Sequence, residues 1–105
     1  MEELCMVYIT ASGYEEAEKI ANELVSTKLA ACANIIDDVE SIYSWEGKKE
    51  TNVEVVLLAK TKKSLFPEIE ETVKRLHTYS CPCILAYPVV ASSKDYAEWI
   101  ISETK

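Results

Sequence analysis

The order of hydrophobic patterns along the chain is the feature that most restricts its possible folds. Runs of apolar and β-branched residues predict strands, and they lie at residues 4–10, 31–44, 51–60 and 83–90. Apolar residues at helical spacing predict helices at 12–28, 65–76 and from residue 92 onward. The resulting βαββαβ order with a terminal helix is typical of the ferredoxin-like α+β fold, in which helices cover one face of an antiparallel sheet.

Two short motifs predict where the longer helices begin. Ser12 is a residue type that caps helices, and Glu15 three positions later completes a capping box. Pro67 is tolerated in the first turn of a helix, so a cap at Ser64 is favoured over one at Thr61. Both helices are therefore predicted to begin with a side-chain cap.

Three positions predict irregularities in the strands. Asp37 and Asp38 interrupt the second strand and indicate a bulge or bend. Gly47 lies in the segment between the second and third strands and is free to take a positive φ in a tight turn. Pro88 has no amide hydrogen, which places the fourth strand at a sheet edge or a bulge.

The second and third strands form an unusually long hairpin. Arms of about 10–14 residues at ~3.3 Å per residue reach roughly 35–45 Å, whereas a domain of this size has a radius of gyration of about 13 Å. The tip is therefore predicted to overhang the domain. It carries Ile42, Tyr43 and Trp45, which are costly to leave in water. We expect the hairpin to pack on a neighbouring subunit of a homo-oligomer.

Composition narrows the class of protein. The chain of 105 residues and 11.8 kDa is predicted to form one domain, 1–105. Its net charge of −7 disfavours nucleic acid and anionic membranes as partners. No apolar run approaches the ~18 residues of a membrane helix, and the first residues are acidic where a secretory signal is basic. Four cysteines are too few for a disulfide scaffold, so a reducing, cytoplasmic location is expected.

This chain lacks the residues that three functions known on this fold require. A metal chaperone needs two cysteines in the first strand-to-helix loop, which is Thr10–Gly13 in this chain. A phosphatase of the acylphosphatase type needs an arginine in the same region, but the only arginine is Arg75. An RNA-binding sheet needs aromatic residues among basic charges, whereas these central strands are aliphatic and the protein is acidic.

A possible soft metal site lies after the second helix. His77 is the only histidine, and Cys81 and Cys83 follow it closely. In extended backbone the two thiols point to the same face, and two thiols with one imidazole suit Cu(I) or Zn²⁺. The alternatives are that His77 only caps the helix and that the cysteines are small buried hydrophobes.

A second possible site would hold a small anion. Lysines at Lys60–Lys63 precede the second helix, where backbone donors and positive charge can hold an anion, although lysines at a strand end are commonly only solvated. Large aromatic residues anchor interfaces or line clefts between subunits. They are Tyr43, Trp45, Tyr79, Tyr87, Tyr96 and Trp99.

Several separated motifs together resemble the CutA divalent-cation tolerance family over nearly the whole length. They are Lys28–Ile35, Tyr43–Lys48, Glu54, Lys60–Thr61, His77–Pro82 and Asp95–Trp99. The resemblance implies a homotrimer of ferredoxin-like subunits whose sheets face inward and whose trimer is similar to that of the PII signalling proteins. It also implies tolerance of divalent metals, copper binding and no enzymatic activity; animal relatives are associated with anchoring of acetylcholinesterase.

The chain departs from the copper ligand set that the resemblance implies. Some family members use a cysteine at the end of the first strand, where this chain has Ile9, and two adjacent histidines after the second helix, where it has Leu76 and His77. Thr78 stands where a proline often follows the histidine, and Cys83 replaces the usual acidic residue.

The first functional hypothesis is a trimeric, cytoplasmic protein that binds copper or another divalent ion and has no organic cofactor. The candidate metal ligands are His77, Cys83 and Cys81. The expected partners are the metal ion and further copies of the chain.

Two alternatives stay open. One is a PII-like trimer that binds a small anion in the intersubunit cleft, with Lys60, Trp45 and Tyr79 as the candidate residues. The other is a non-catalytic trimeric scaffold. In all three hypotheses the candidate trimer-interface residues are Tyr43, Trp45 and Trp99.

Overall fold

The computed structural model describes residues 2–105 and has one four-stranded antiparallel sheet with three α-helices. The strands are β1 (Leu4–Ala11), β2 (Cys32–Trp45), β3 (Lys48–Lys62) and β4 (Ile84–Pro88). The helices are α1 (Tyr14–Ser26), α2 (Phe66–Leu76) and α3 (Lys94–Glu103). The sheet order is β2-β3-β1-β4, so the predicted ferredoxin-like α+β fold is confirmed.

One face of the sheet forms the core with α1 and α2. The central strands supply Val7, Ile9 and Leu57, all without measurable exposure, because alternate residues of a strand share one face. The helices contribute the facing side chains, which are Ile20, Leu24, Ile69 and Val73. Each fully buried side chain of this size contributes about 1.5–3 kcal/mol.

The predicted capping box of α1 is wrong by one residue. The residue that precedes the helix is Gly13, which has extended backbone and no side chain to cap with. Glu16 therefore takes the third helical position in place of Glu15, and its carboxylate accepts the amide hydrogen of Ser12 over 2.9 Å.

The predicted cap of α2 at Ser64 is also wrong. Lys63–Leu65 form a short 3₁₀ turn, and α2 begins directly after it with Pro67 in the first turn, as expected. Thr61 does not cap either. Its buried hydroxyl donates to the carbonyl of Leu29, which ties β3 to the α1–β2 connection.

The long hairpin is confirmed. Its strands have 14 and 15 residues, and they account for the elongated shape of 44 × 25 × 23 Å. Glu46 and Gly47 form the two-residue turn, both with positive φ (51° and 81°), as a type I′ turn requires. Gly47 takes this conformation without the steric cost that a side chain adds.

The expected bulge at Asp37 and Asp38 is confirmed. Ile36 pairs with Val56 but Val39 pairs with Glu54, so β2 has one more residue here than β3. Asp38 takes a positive φ of 56° to accommodate the extra residue. The extra residue shifts the alternation of side chains along β2. Before the bulge, even-numbered residues such as Ile36 lie on the open face of the sheet, and beyond it odd-numbered residues such as Val39 and Tyr43 lie on that face.

The second face of the sheet has no helical layer of α1 or α2. Tyr8 and Tyr87 lie on it with ring centroids 6.1 Å apart, and Ile36 and Leu85 are about half exposed. α3 lies against β3.

Pro88 is in the edge strand β4, as predicted from its missing amide hydrogen. Within residues 2–105, no helix has the length and apolar character to cross a membrane.

Candidate functional site

A cavity of about 450 Å³ lies where the hairpin meets the end of β1 and the loop between α2 and β4. The hairpin contributes one wall and the α2–β4 loop the opposite wall. The lining residues are Thr10, Ser41, Tyr43, Trp45, Glu50, Asn52, Glu54, Tyr79, Ser80, Cys81 and Cys83. The cavity therefore combines aromatic rings, carboxylates and thiols.

The bulge in β2 determines which hairpin residues line the cavity. Beyond it, Tyr43 pairs with Glu50 and Ser41 pairs with Asn52, so these four side chains share the face of Glu54. If the same sequence paired with β3 regularly and formed no bulge, the even-numbered residues of β2 would lie on this face instead. The aromatic wall thus depends on a backbone irregularity several residues away.

Glu54 and Tyr79 connect the two walls of the cavity. Glu54 is only 7% exposed, and its Oε2 accepts a hydrogen bond from the Tyr79 hydroxyl over 3.0 Å. Burial, the hydrogen bond to Glu54 and the nearby negative charges raise the pKa of Tyr79 to about 12. Tyr79 therefore remains protonated at neutral pH and donates to the carboxylate.

The two predicted thiol ligands both line the cavity, but they differ in their surroundings. Cys81 is exposed, whereas Cys83 is partly buried and unpaired with any other cysteine. Burial, and secondly the charge of Glu54, raise the pKa of Cys83 above its ordinary value. Cys83 is thus a protonated thiol at neutral pH, and a metal that binds it must displace its proton.

His77 does not line the cavity. Its side chain has no exposed surface, and its Nδ1 accepts the amide hydrogen of Tyr79 over 3.0 Å. The hydrogen of the neutral ring is therefore on Nε2, which donates to the carbonyl of Thr10 over 2.7 Å. Both nitrogens are used, so in this conformation His77 positions the loop and has no lone pair free for a metal.

Glu16 holds the same loop from α1. Its Oε2 accepts the amide hydrogen of Thr78 over 3.0 Å, and its Oε1 accepts from Ser12. Burial alone raises the pKa of Glu16, but these hydrogen bonds outweigh it and the net pKa is lowered. The start of the loop that carries Cys81 and Cys83 is thereby held to α1 through Glu16 and to β1 through His77.

Lys60 is not brought together with the other predicted cleft residues. Its ammonium donates to the hydroxyl of Tyr96 over 3.2 Å and lies 5.4 Å from the centre of that ring. The ring of Trp99 packs beside Tyr96 with centroids 5.4 Å apart. Lys60 of β3 thus joins Tyr96 and Trp99 of α3 in one cluster, whereas Trp45 and Tyr79 line the cavity.

The three predicted metal ligands do not form a preformed site within one chain. Among the residues that the structure describes, no three His, Cys, Asp or Glu side chains are grouped so that they could hold a metal ion. The full use of both His77 nitrogens is the physical reason for its exclusion. The thiols of Cys81 and Cys83 remain as available donors on the cavity wall.

The family model described as CutA1 divalent ion tolerance protein matches residues 5–103. The chain belongs to the CutA1 family. This result confirms the family expected from the motifs, and with it a general role in divalent-cation tolerance.

The relatives match along the whole fold. The divalent-cation tolerance protein CutA of Archaeoglobus fulgidus is 44% identical over 94 residues, 90% of this chain and 91% of the relative. The chloroplastic protein CutA of Arabidopsis thaliana is 40% identical over 100 residues, which are 95% of this chain but only 55% of that longer relative.

A solved structure agrees closely with the fold. It is described as the periplasmic divalent cation tolerance protein CutA from Archaeoglobus fulgidus. The TM-score is 0.94 at 40% identity, and the alignment covers 97% of this chain and 99% of that one. The ferredoxin-like architecture of the CutA1 family is therefore present in this chain.

The sequence alone did not identify several cavity residues. Thr10, Glu50, Asn52 and Glu54 line the cavity but were not predicted as site residues. Glu54 was noticed only as part of the family resemblance. The available signal was a buried carboxylate in an otherwise aliphatic stretch of β3, a position where a charge is rare without a functional partner.

Proposed function

We propose that this CutA1 protein acts in divalent-cation tolerance as a non-catalytic, cytoplasmic homotrimer that binds copper or another divalent ion at Cys81 and Cys83. The observation that carries the proposal is that both thiols line one cavity together with Glu50 and Glu54. Soft thiolates select copper and zinc, and nearby carboxylates attract cations. A reducing compartment maintains the four free cysteines as thiols.

The anion alternative has less support from the same geometry. Two carboxylates line the cavity and no lysine, arginine or histidine does so among the residues that the structure describes. Lys60, the predicted anion ligand, is engaged with Tyr96. A neighbouring subunit would have to supply all the positive charge that an anion needs in this cavity.

A Cu(I) competition titration on reduced protein tests the metal proposal. We expect one equivalent per chain, with affinity that rises with pH because the Cys83 thiol must lose its proton. The double variant Cys81→Ser/Cys83→Ser should lose about a hundredfold or more in affinity, since two soft ligands are removed.

The matched control is Cys32→Ser, which removes a thiol that does not line the cavity. It should bind Cu(I) as the unmodified protein does. Equal binding by the Cys81/Cys83 double variant, or loss of binding in Cys32→Ser, would contradict the assignment of copper to the cavity thiols.

Exposed apolar side chains support the homotrimer. They occur on the open sheet face, at the hairpin and on α3, and comprise Ile36, Tyr43, Trp45, Leu85, Tyr87 and Trp99. Their coverage by neighbouring copies would remove apolar surface from water at about 25 cal/mol per Å². The overhanging hairpin gives each copy an extended arm for such contacts.

Replacing Trp45 with Asp is expected to dissociate the trimer at low micromolar concentration. An unpaired charge buried in an interface costs several kcal/mol, so association should weaken by about a hundredfold or more. Light scattering gives the mass in solution. Val25→Asp is the control, because Val25 is comparably exposed but lies on α1, away from the open face. A Trp45→Asp variant that stays fully trimeric would refute this interface.

A further inference from the structure

The cavity is too large for a metal ion alone. Its volume of about 450 Å³ lies within the range of small-molecule sites, roughly 300–1,000 Å³. The metal donors on its wall are the thiols, on the loop side. The hairpin side presents aromatic rings and carboxylates, which suit a different kind of ligand.

Glu54 provides a charge that lacks a cationic partner. Its side chain is buried, with 7% exposure. No lysine, arginine or histidine of residues 2–105 lies within ion-pair distance of its carboxylate. Only Oε2 of the carboxylate has a hydrogen bond, which it accepts from Tyr79. No fully buried polar side-chain atom of the described chain lacks a partner, so the second oxygen of Glu54 borders the open cavity. A buried carboxylate is stabilised by a positive charge that reaches this oxygen.

Three aromatic side chains surround the space in front of Glu54. Tyr43 and Trp45 extend from the hairpin, and Tyr79 lies on the opposite wall. The faces of such rings attract cations at distances up to about 6 Å from the ring centre, and they also bury the apolar body of a ligand. Lys48, which pairs with Trp45, does not line the cavity and so does not occupy this position.

We propose that this cavity binds a small organic cation, an ammonium group attached to an aromatic or aliphatic body. The ammonium would donate to Glu54, with Glu50 nearby, and the body would pack between Tyr79 and the hairpin rings. An anion is repelled by both carboxylates, and a bare ion leaves most of the volume empty. This site goes beyond the metal proposal, because it uses the hairpin wall in place of the thiols.

Three probes of one shape and different charge test the proposal on the intact protein. Benzylammonium, benzyl alcohol and benzoate share a ring and a one-carbon arm, and calorimetry at neutral pH measures their affinities. We expect benzylammonium to bind about tenfold or more tightly than benzyl alcohol, because its hydrogen bond to Glu54 joins two opposite charges, whereas that of the alcohol has only one charged partner. Benzoate should bind most weakly.

The variant Glu54→Gln should remove most of the preference for benzylammonium over benzyl alcohol while leaving the binding of the alcohol nearly unchanged. The matched control is Glu40→Gln, which makes the same change of net charge on the hairpin outside the cavity. Because Glu54 is buried, thermal unfolding confirms that the variant is folded. Glu50→Gln, at an exposed position, gives a second and smaller reduction of the same preference.

Three outcomes would overturn the proposal. Benzoate as the tightest ligand would show an anion site, equal affinity for all three probes would show an apolar pocket without charge selection, and no binding of any probe would show that the cavity admits no such ligand. The Cu(I) titration separates this site from the metal site. Cys81→Ser/Cys83→Ser should lose Cu(I) binding but retain benzylammonium binding, because the thiols do not contact the ammonium group.

Discussion

Replacement of both Tyr43 and Trp45 with Ala is expected to weaken the binding of benzylammonium by about tenfold or more. The two rings line the cavity from the hairpin, and with Tyr79 they are the three rings that attract the cation. The core should stay intact, because both side chains are exposed and lie on the sheet face of Glu54, opposite the face that packs on α1 and α2.

The measurement is calorimetric titration with benzylammonium, and thermal unfolding confirms that the variant is folded. Ile42→Ala is the control, because Ile42 is an exposed hairpin residue that pairs with Thr51 on the opposite face and does not line the cavity. It should bind benzylammonium as the unmodified protein does. Unchanged binding by the Tyr43→Ala/Trp45→Ala variant would show that the hairpin rings do not contact the ligand.

Replacement of His77 with Ala is expected to lower the free energy of unfolding by about 3–5 kcal/mol. The change leaves the Thr10 carbonyl and the Tyr79 amide without their partners, and it opens a void at a fully buried side chain. Denaturant unfolding at constant protein concentration measures the loss, since an oligomer's stability depends on concentration.

Lys74→Ala is the control for this variant. Lys74 lies one turn earlier on α2 and makes only an exposed ion pair with Glu70, so the expected change is below about 0.5 kcal/mol. Folded His77→Ala protein should still bind Cu(I) at the cavity thiols. Loss of Cu(I) binding with unchanged stability would instead identify His77 as a metal ligand.

Much of the fold could be predicted because its signals are local. The βαββαβ order follows from periodicity within each segment, and the hairpin turn follows from Gly47. The bulge at Asp37 and Asp38 could be placed because two adjacent acidic residues interrupt an apolar strand. The helix starts were less accurate. The capping motif at Ser12 differs by only one residue from the observed start, and backbone geometry at Gly13 decided between them.

The candidate site was predictable only in part. Trp45, Tyr79, Cys81 and Cys83 were singled out for their chemistry, and all four line the cavity. The chemistry of the lysine side chain could not show that Lys60 contacts Tyr96 and does not line the cavity.

His77 illustrates the same limit for a single side chain. Its suitability as a ligand depends on whether its nitrogens are free, and both are bonded to groups that the fold brings to it, one of them from β1. No pattern within the sequence around His77 indicates the carbonyl of Thr10.

The sequence by itself determined the order of the elements, the long hairpin and the family, because periodicity, turn chemistry and ordered motifs act over a few neighbouring residues. Only the tertiary structure decided which side chains share the cavity. Thr10, Glu54 and Tyr79 lie far apart in the chain and meet because β1 pairs with β3 and Tyr79 donates a hydrogen bond to Glu54. The bulge in β2 places Tyr43 on the same face. Such contacts depend on register and packing across the sheet, which are properties of the whole fold.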